Sequence, residues 1–173
     1  MNKRTFWLLA FASFFLLSEA CGVPDVSRRV NGQMLWGNYM IEVNGSRITD
    51  DNPWGIIAGV IDDEDGGEFV LLNPNTGIDL NNLSPDDEVS FNAYIYPEVA
   101  DSSDGAGLLI WVMKDNDILQ EDEVLIDNSG KEEKIQYSFA DYDGANKLKI
   151  QCNNGGNNND DADWVVLELI DKE

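Results

Sequence analysis

The chain has 173 residues, of which 11 are basic and 33 acidic, and it carries a net charge of −22 with no histidine. That charge repels phosphate backbones and anionic membrane surfaces, so nucleic acid is not an expected partner. The missing histidine removes the commonest general base and transition-metal ligand, and with them a serine or cysteine triad of the usual kind.

The amino terminus reads as an export signal. Lys3 and Arg4 form a positive start, Phe6 to Leu17 an apolar run, and Ser18-Glu19-Ala20 a small-residue cleavage site. The run is too short to span a bilayer, which takes ~20 residues. Cleavage after Ala20 would leave Cys21 first. Two readings of Cys21 stand side by side. In an exported chain with an even cysteine count it pairs with Cys152 as a disulfide. Alternatively Cys21 is lipidated, because Leu17-Ser18-Glu19-Ala20-Cys21 resembles a bacterial lipoprotein signal, with leucine one place early and Glu19 where a small residue belongs. The expected location is secreted or periplasmic in the first case and the cell envelope in the second. A membrane is a partner only if Cys21 is acylated.

Beyond residues 1–20, residues 21–33 read as an irregular lead-in and residues 34–173 as one all-β domain. Strand-like runs alternate with clusters of Asp, Asn, Gly and Pro. The spacing predicts strands over Met34–Val43, Trp54–Ile61, Glu68–Leu72, Glu88–Tyr96, Gly107–Met113, Lys134–Phe139, Lys147–Cys152 and Trp164–Ile170, with a further short one within Ile118–Ile126. About eight antiparallel strands suit a jelly roll or related β-sandwich.

Alternation assigns faces, because successive strand side chains point opposite ways. Val89, Phe91, Ala93 and Ile95 read inward, as do Ile135, Tyr137 and Phe139. Leu148, Ile150 and Cys152 follow the same rule, and so do Val165, Leu167 and Leu169. "GLLIWVM" shows no alternation. It is either a central strand covered on both faces or one whose Leu109, Trp111 and Met113 floor a groove.

The outward set combines aromatics with hydrogen-bonding groups. Tyr94, Tyr96, Trp111 and Trp164 are candidate stacking groups for the C–H faces of sugar rings. Asn92, Gln136 and Gln151 are candidate partners for the hydroxyls, with Ser138 and Glu168 nearby. The competing reading is that these aromatics pack under loops and edges, as Tyr and Trp commonly do.

Glu88 to Ile170 resembles the galactose-binding-like jelly roll of carbohydrate-binding modules. The pattern runs "VSFNAYIYPE", "GLLIWVMKDND", "EEKIQYSFADYDGANKLKIQ", a Gly/Asn loop and a closing apolar strand. Such modules often end on an Asp-x-Val strand, whereas "ADWVVLEL" here places Trp164 directly after Asp163. The resemblance implies non-catalytic glycan binding and one structural calcium.

The residues themselves offer calcium ligands too. Clustered Asp, Asn and backbone carbonyls can supply the oxygens that the ion requires. Asn157, Asp160, Asp161 and Asp163, just before the last strand, are the candidate set, although Asp, Asn and Gly are also ordinary loop residues. Paired carboxylates are the one catalytic device that the composition leaves open, and an enzyme is not expected. The expected function is an exported, non-catalytic domain that binds carbohydrate through aromatics on a sheet face. The alternative is a cell-envelope structural or protein-interaction protein with no glycan ligand.

Overall fold

The computed structural model describes residues 31–44, 58–62, 68–155 and 163–170. Eleven strands lie within them: β1 (Asn31–Trp36), β2 (Tyr39–Asn44), β3 (Ala58–Asp62), β4 (Glu68–Leu72), β5 (Gly77–Asn81), β6 (Glu88–Ile95), β7 (Ala106–Lys114), β8 (Asp117–Ile126), β9 (Glu133–Ser138), β10 (Lys147–Asn153) and β11 (Val165–Leu169). They form two antiparallel sheets. One has six strands in the order β1-β2-β5-β10-β7-β8, the other five in the order β3-β4-β11-β6-β9. Among the described residues no helix is long and apolar enough to cross a membrane. The all-β sandwich expected from the sequence is the fold observed, with more strands than expected.

The extra strands have local causes. Met34–Val43, expected as one strand, is a hairpin, because Trp36 pairs with Tyr39 across a two-residue turn. Gly37 takes φ +55° there, and tight hairpin turns of the primed types need a positive φ that glycine adopts without strain. β5 was not expected. Its Ile78 and Leu80 alternate with Gly77, Asp79 and Asn81, residues that read as a loop by composition. The preceding turn closes when Thr76 N–H donates to the Asn73 carbonyl at 3.1 Å. β8 is a full ten-residue edge strand whose acidic content disguises it.

The core lies between the sheets. From the six-stranded sheet come Ile41, Val43, Ile78, Leu80, Leu108, Ile110, Val112, Leu148, Ile150 and Cys152. Val70, Leu72, Phe91, Ile95, Val165 and Leu167 meet them from the other sheet. Trp36 packs on Phe91 with ring centroids 5.9 Å apart. Each fully buried aliphatic or aromatic side chain contributes about 1.5–3 kcal/mol by leaving water.

Cys152 sits on the core face of β10, paired with Leu108. It is a free, buried thiol, and the sulfur lies 3.8 Å from the Asp163 carbonyl. No disulfide from it to Cys21 is found; Cys21, like the expected signal segment, lies outside the described residues. Burial pushes the Cys152 thiol well above its usual range, and the nearby Asp163 adds to this. It is therefore a packing group and not a reactive thiolate.

At the open edge between β8 and β9, a polar contact joins the sheets. Tyr137 Oη donates to Asp122 Oδ2 at 2.8 Å, and Gln120 Nε2 donates to Asp122 Oδ1 at 2.8 Å. Burial raises the Tyr137 phenol, and the hydrogen bond to Asp122 raises it further. The fold thus favours the neutral phenol, so its contribution is complete below pH about 10 and is lost as pH rises above that. Tyr137→Phe should lower stability at pH 7 by about 1–3 kcal/mol in urea unfolding, because Asp122 loses a buried donor. The variant should also lose less stability than the parent between neutral and alkaline pH. Equal stability and equal pH dependence would show that the contact contributes nothing.

Candidate functional site

The structure divides the expected ligand set between two opposite faces. Asn92 and Tyr94 on β6, Tyr96 just beyond it, Gln136 on β9 and Trp164 just before β11 lie on the outer side of the five-stranded sheet. Asn92 faces Glu168 and Tyr94 faces Val166 across the β6–β11 pair. Trp111 on β7 and Gln151 on β10 lie on the outer side of the six-stranded sheet.

On the five-stranded sheet the aromatics cover a second, small apolar cluster. Leu71, Val166 and Trp164 are buried beneath Phe69, Tyr94, Tyr96 and Val99. Tyr96 stacks between Phe69, at 6.4 Å between centroids, and Trp164, at 6.3 Å. Trp164 is only 7% exposed, so no sugar ring reaches its face in this arrangement. The amides here are already engaged. Asn92 Nδ2 donates to Glu132 Oε2 at 2.7 Å, and Gln136 Nε2 donates to Glu88 Oε1. Tyr94 Oη makes a long 3.5 Å contact to Glu168 Oε2.

The six-stranded sheet presents a different surface. Strand β7 does alternate: Leu108, Ile110 and Val112 are buried while Leu109, Trp111 and Met113 are half-buried on the outside. The strand of "GLLIWVM" is therefore not covered equally on both faces: its outer side chains are partly open and its inner ones fully enclosed. The registers line up one row across the whole sheet: Gln33, Glu42, Asp79, Lys149, Trp111 and Glu121. Trp111 stands in that row with Lys149 Nζ 5.3 Å from its ring centroid, a cation–π distance. The side-chain amide of Gln151, opposite Leu109 in the next row, makes no hydrogen bond among the described residues, so its donors and acceptor remain open to a ligand.

Asp79 anchors the far side of Lys149. Its Oδ2 lies 3.8 Å from Lys147 Nζ, while its buried Oδ1 has no hydrogen-bond partner. Burial holds this carboxyl above the ordinary range. Lys147 and Lys149 pull it down, and Glu42 pushes it up. Lys149, Asp79 and Glu121 were not singled out from sequence. The β10 alternation marks Lys149 as outward, but which strands flank β10 is a matter of topology.

The calcium candidates are mostly beyond view: Asn157, Asp160 and Asp161 lie outside the described residues. Asp163 is buried, and its Oδ1 accepts from Ser103 Oγ at 2.8 Å. Among the described residues no group of three or more His, Cys, Asp or Glu side chains is placed to hold a metal ion.

No family model matches the sequence, and no curated protein matches it. Solved structures similar to it include a family 51 carbohydrate-binding module from Clostridium perfringens in complex with methyl-galactose. The identity is 16%, the match covers 75% of this chain and 88% of that one, and the TM-score is 0.46. A family 15 xylan-binding module is similar at 14% identity, covering 81% and 93% of the two chains, with a TM-score of 0.43. A family 11 module from Clostridium thermocellum, solved with a mixed-linked tetrasaccharide, is similar at 13% identity, covering 86% and 93%, with a TM-score of 0.37.

The two tryptophans should separate cleanly in stability. Trp164→Ala should cost about 3–5 kcal/mol, as removal of a buried aromatic does, whereas Trp111→Ala should cost about 1 kcal/mol or less. Chemical denaturation of both variants checks this, and the reverse order would exchange their structural roles.

Proposed function

We propose that the protein is an exported, non-catalytic domain that binds a neutral polysaccharide on the outer face of its six-stranded sheet. The observation that carries this reading is Trp111. It is a half-buried indole in a sheet-wide row of amide, carboxylate and ammonium groups. An aromatic face offers a platform for the C–H side of a sugar ring, and the flanking polar groups meet its hydroxyls. A neutral ligand suits the charge. The chain carries −22 overall, and Glu42, Asp79 and Glu121 share the row with Lys149, so a polyanion would be repelled.

Non-catalytic action agrees with the same groups. Asp79, the carboxyl that burial raises, is tied to Lys147 and so is poorly placed as a free proton donor to a glycosidic oxygen.

Electrophoresis through gels containing xylan, mixed-linkage glucan, galactan or mannan tests the reading. At least one neutral polysaccharide should retard the parent protein. Trp111→Ala should weaken that binding about tenfold or more, equal to about 1.4 kcal/mol; Tyr94→Ala should leave it unchanged. Absence of retardation by every neutral glycan, or retention of full binding by Trp111→Ala, would overturn the assignment.

For location, we infer action outside the cytoplasm with Cys21 acylated, since Cys152 is enclosed within the core. The intact mass of native protein from the membrane fraction should exceed that of residues 21–173 by several hundred daltons. A soluble form two hydrogens lighter than that chain would instead mean that the two cysteines are bonded.

A further inference from the structure

A cleft of about 230 Å³ opens at one end of the six-stranded sheet, lined by Asn81, Asn82, Asp115, Asn116, Asn146 and Lys147. Three chain segments meet there. Asn81 ends β5, Asp115 and Asn116 turn β7 into β8, and Asn146 and Lys147 lead into β10. Asn146 stitches them together. Its N–H donates to the Met113 carbonyl at 2.9 Å, and its own carbonyl accepts from Leu83 N–H at 3.0 Å. Its side-chain oxygen accepts from Asp115 N–H at 2.9 Å, and its Nδ2 donates to Asp115 Oδ1 at 2.8 Å. Asn82 and Asp115 hold φ values of +61° and +55°, a left-handed conformation that Asn and Asp tolerate better than most residues. The walls are thus fixed without a ligand.

The lining has the chemistry of a hydroxyl site. The carboxamides of Asn81, Asn82 and Asn116 make no hydrogen bond among the described residues, and each offers two donors and an acceptor oxygen. A sugar hydroxyl, itself donor and acceptor, uses both kinds of group. A bare anion would meet Asp115, and a metal cation would meet Lys147. The volume falls below the ~300–1,000 Å³ of pockets for drug-sized ligands, so the cleft suits one ring and not a length of chain.

Its position ties it to Trp111. Lys147 pairs with Asn81 on one side and Met113 on the other. That row is two residues along the strand from the Lys149–Trp111 row, a step of ~7 Å. A glycan lying over Trp111 and running along β7 therefore arrives at the cleft.

We propose that this cleft is the terminal subsite of the glycan surface, holding the end residue of an uncharged polysaccharide, so that the protein binds chain ends and not chain interiors. The proposal rests on the carbohydrate reading of the Trp111 face, and the test separates the two.

The probes are the methyl glycosides of glucose, galactose, xylose and N-acetylglucosamine at millimolar concentration, followed by the linear tetrasaccharide of each. The readout is the ¹H–¹⁵N spectrum of the whole folded protein, followed at the side-chain amides of Asn81, Asn82, Asn116 and Asn146 and at the Trp111 indole N–H. For at least one sugar, the methyl glycoside should shift the asparagine amides alone, and its tetrasaccharide should shift both sets. Asn81→Ala and Asn116→Ala, each confirmed as folded by its melt, should weaken tetrasaccharide binding about tenfold. With that polysaccharide, binding sites per gram should fall as chain length grows. Movement of Trp111 with silent asparagines would overturn the terminal subsite and keep the Trp111 platform. If the asparagines move while Trp111 stays silent under every tetrasaccharide, the link between the two fails and the platform falls. Silence of both under all probes would overturn both readings.

Discussion

Strand β10 sets both faces of the six-stranded sheet. Leu148, Ile150 and Cys152 are locked into the core between β5 and β7, which forces Lys147, Lys149 and Gln151 onto the outer face. A one-residue slip would send the lysines inward, at the large penalty of burying charge. The same pinning holds β7 in register, so Trp111 stands beside Lys149 and Glu121. Gly77 shows how closely the backbones approach there: a side chain on it would meet the Ile150 carbonyl oxygen at 2.4 Å. The surface proposed to bind glycan is thus the reverse side of a well-packed core.

The acidic excess is handled by placement. Among the described residues, most carboxylates lie on outer faces and in turns, Asp163 being the fully buried exception. Edge strand β8 alternates outward Glu121 and Glu123 with inward Gln120 and Asp122 at the sandwich rim. An inward carboxylate on an edge strand discourages pairing with another chain, and here Tyr137 satisfies it. With −22 on each copy, self-association through that edge is disfavoured twice over.

The period-2 pattern made β6, β9, β10 and β11 legible, including which side chains face the core. Local glycine chemistry hid the β1–β2 hairpin, and Asp and Asn within β5 masked a strand whose Ile78 and Leu80 alternate plainly. The site was only half legible. Outwardness could be read residue by residue for Gln151, Tyr94 and Asn92, whereas the unbroken apolar run of "GLLIWVM" left Trp111 open. Their division between two sheets could not, because it depends on pairings such as Asp79 with Lys149, far apart in the chain. Burial of Trp164 was equally hidden, since a position on an outer face can still be roofed by neighbours such as Tyr96.

Fluorine NMR of protein carrying 5-fluorotryptophan would show whether Trp111 is where glycan binds. Trp36 and Trp164 are buried and Trp111 is half-buried on an outer face, so each reports a different environment. On titration with neutral oligosaccharides, the Trp111 resonance should move while those of Trp36 and Trp164 stay still. A Trp111 signal unmoved by every oligosaccharide, or a response at Trp164 instead, would contradict it.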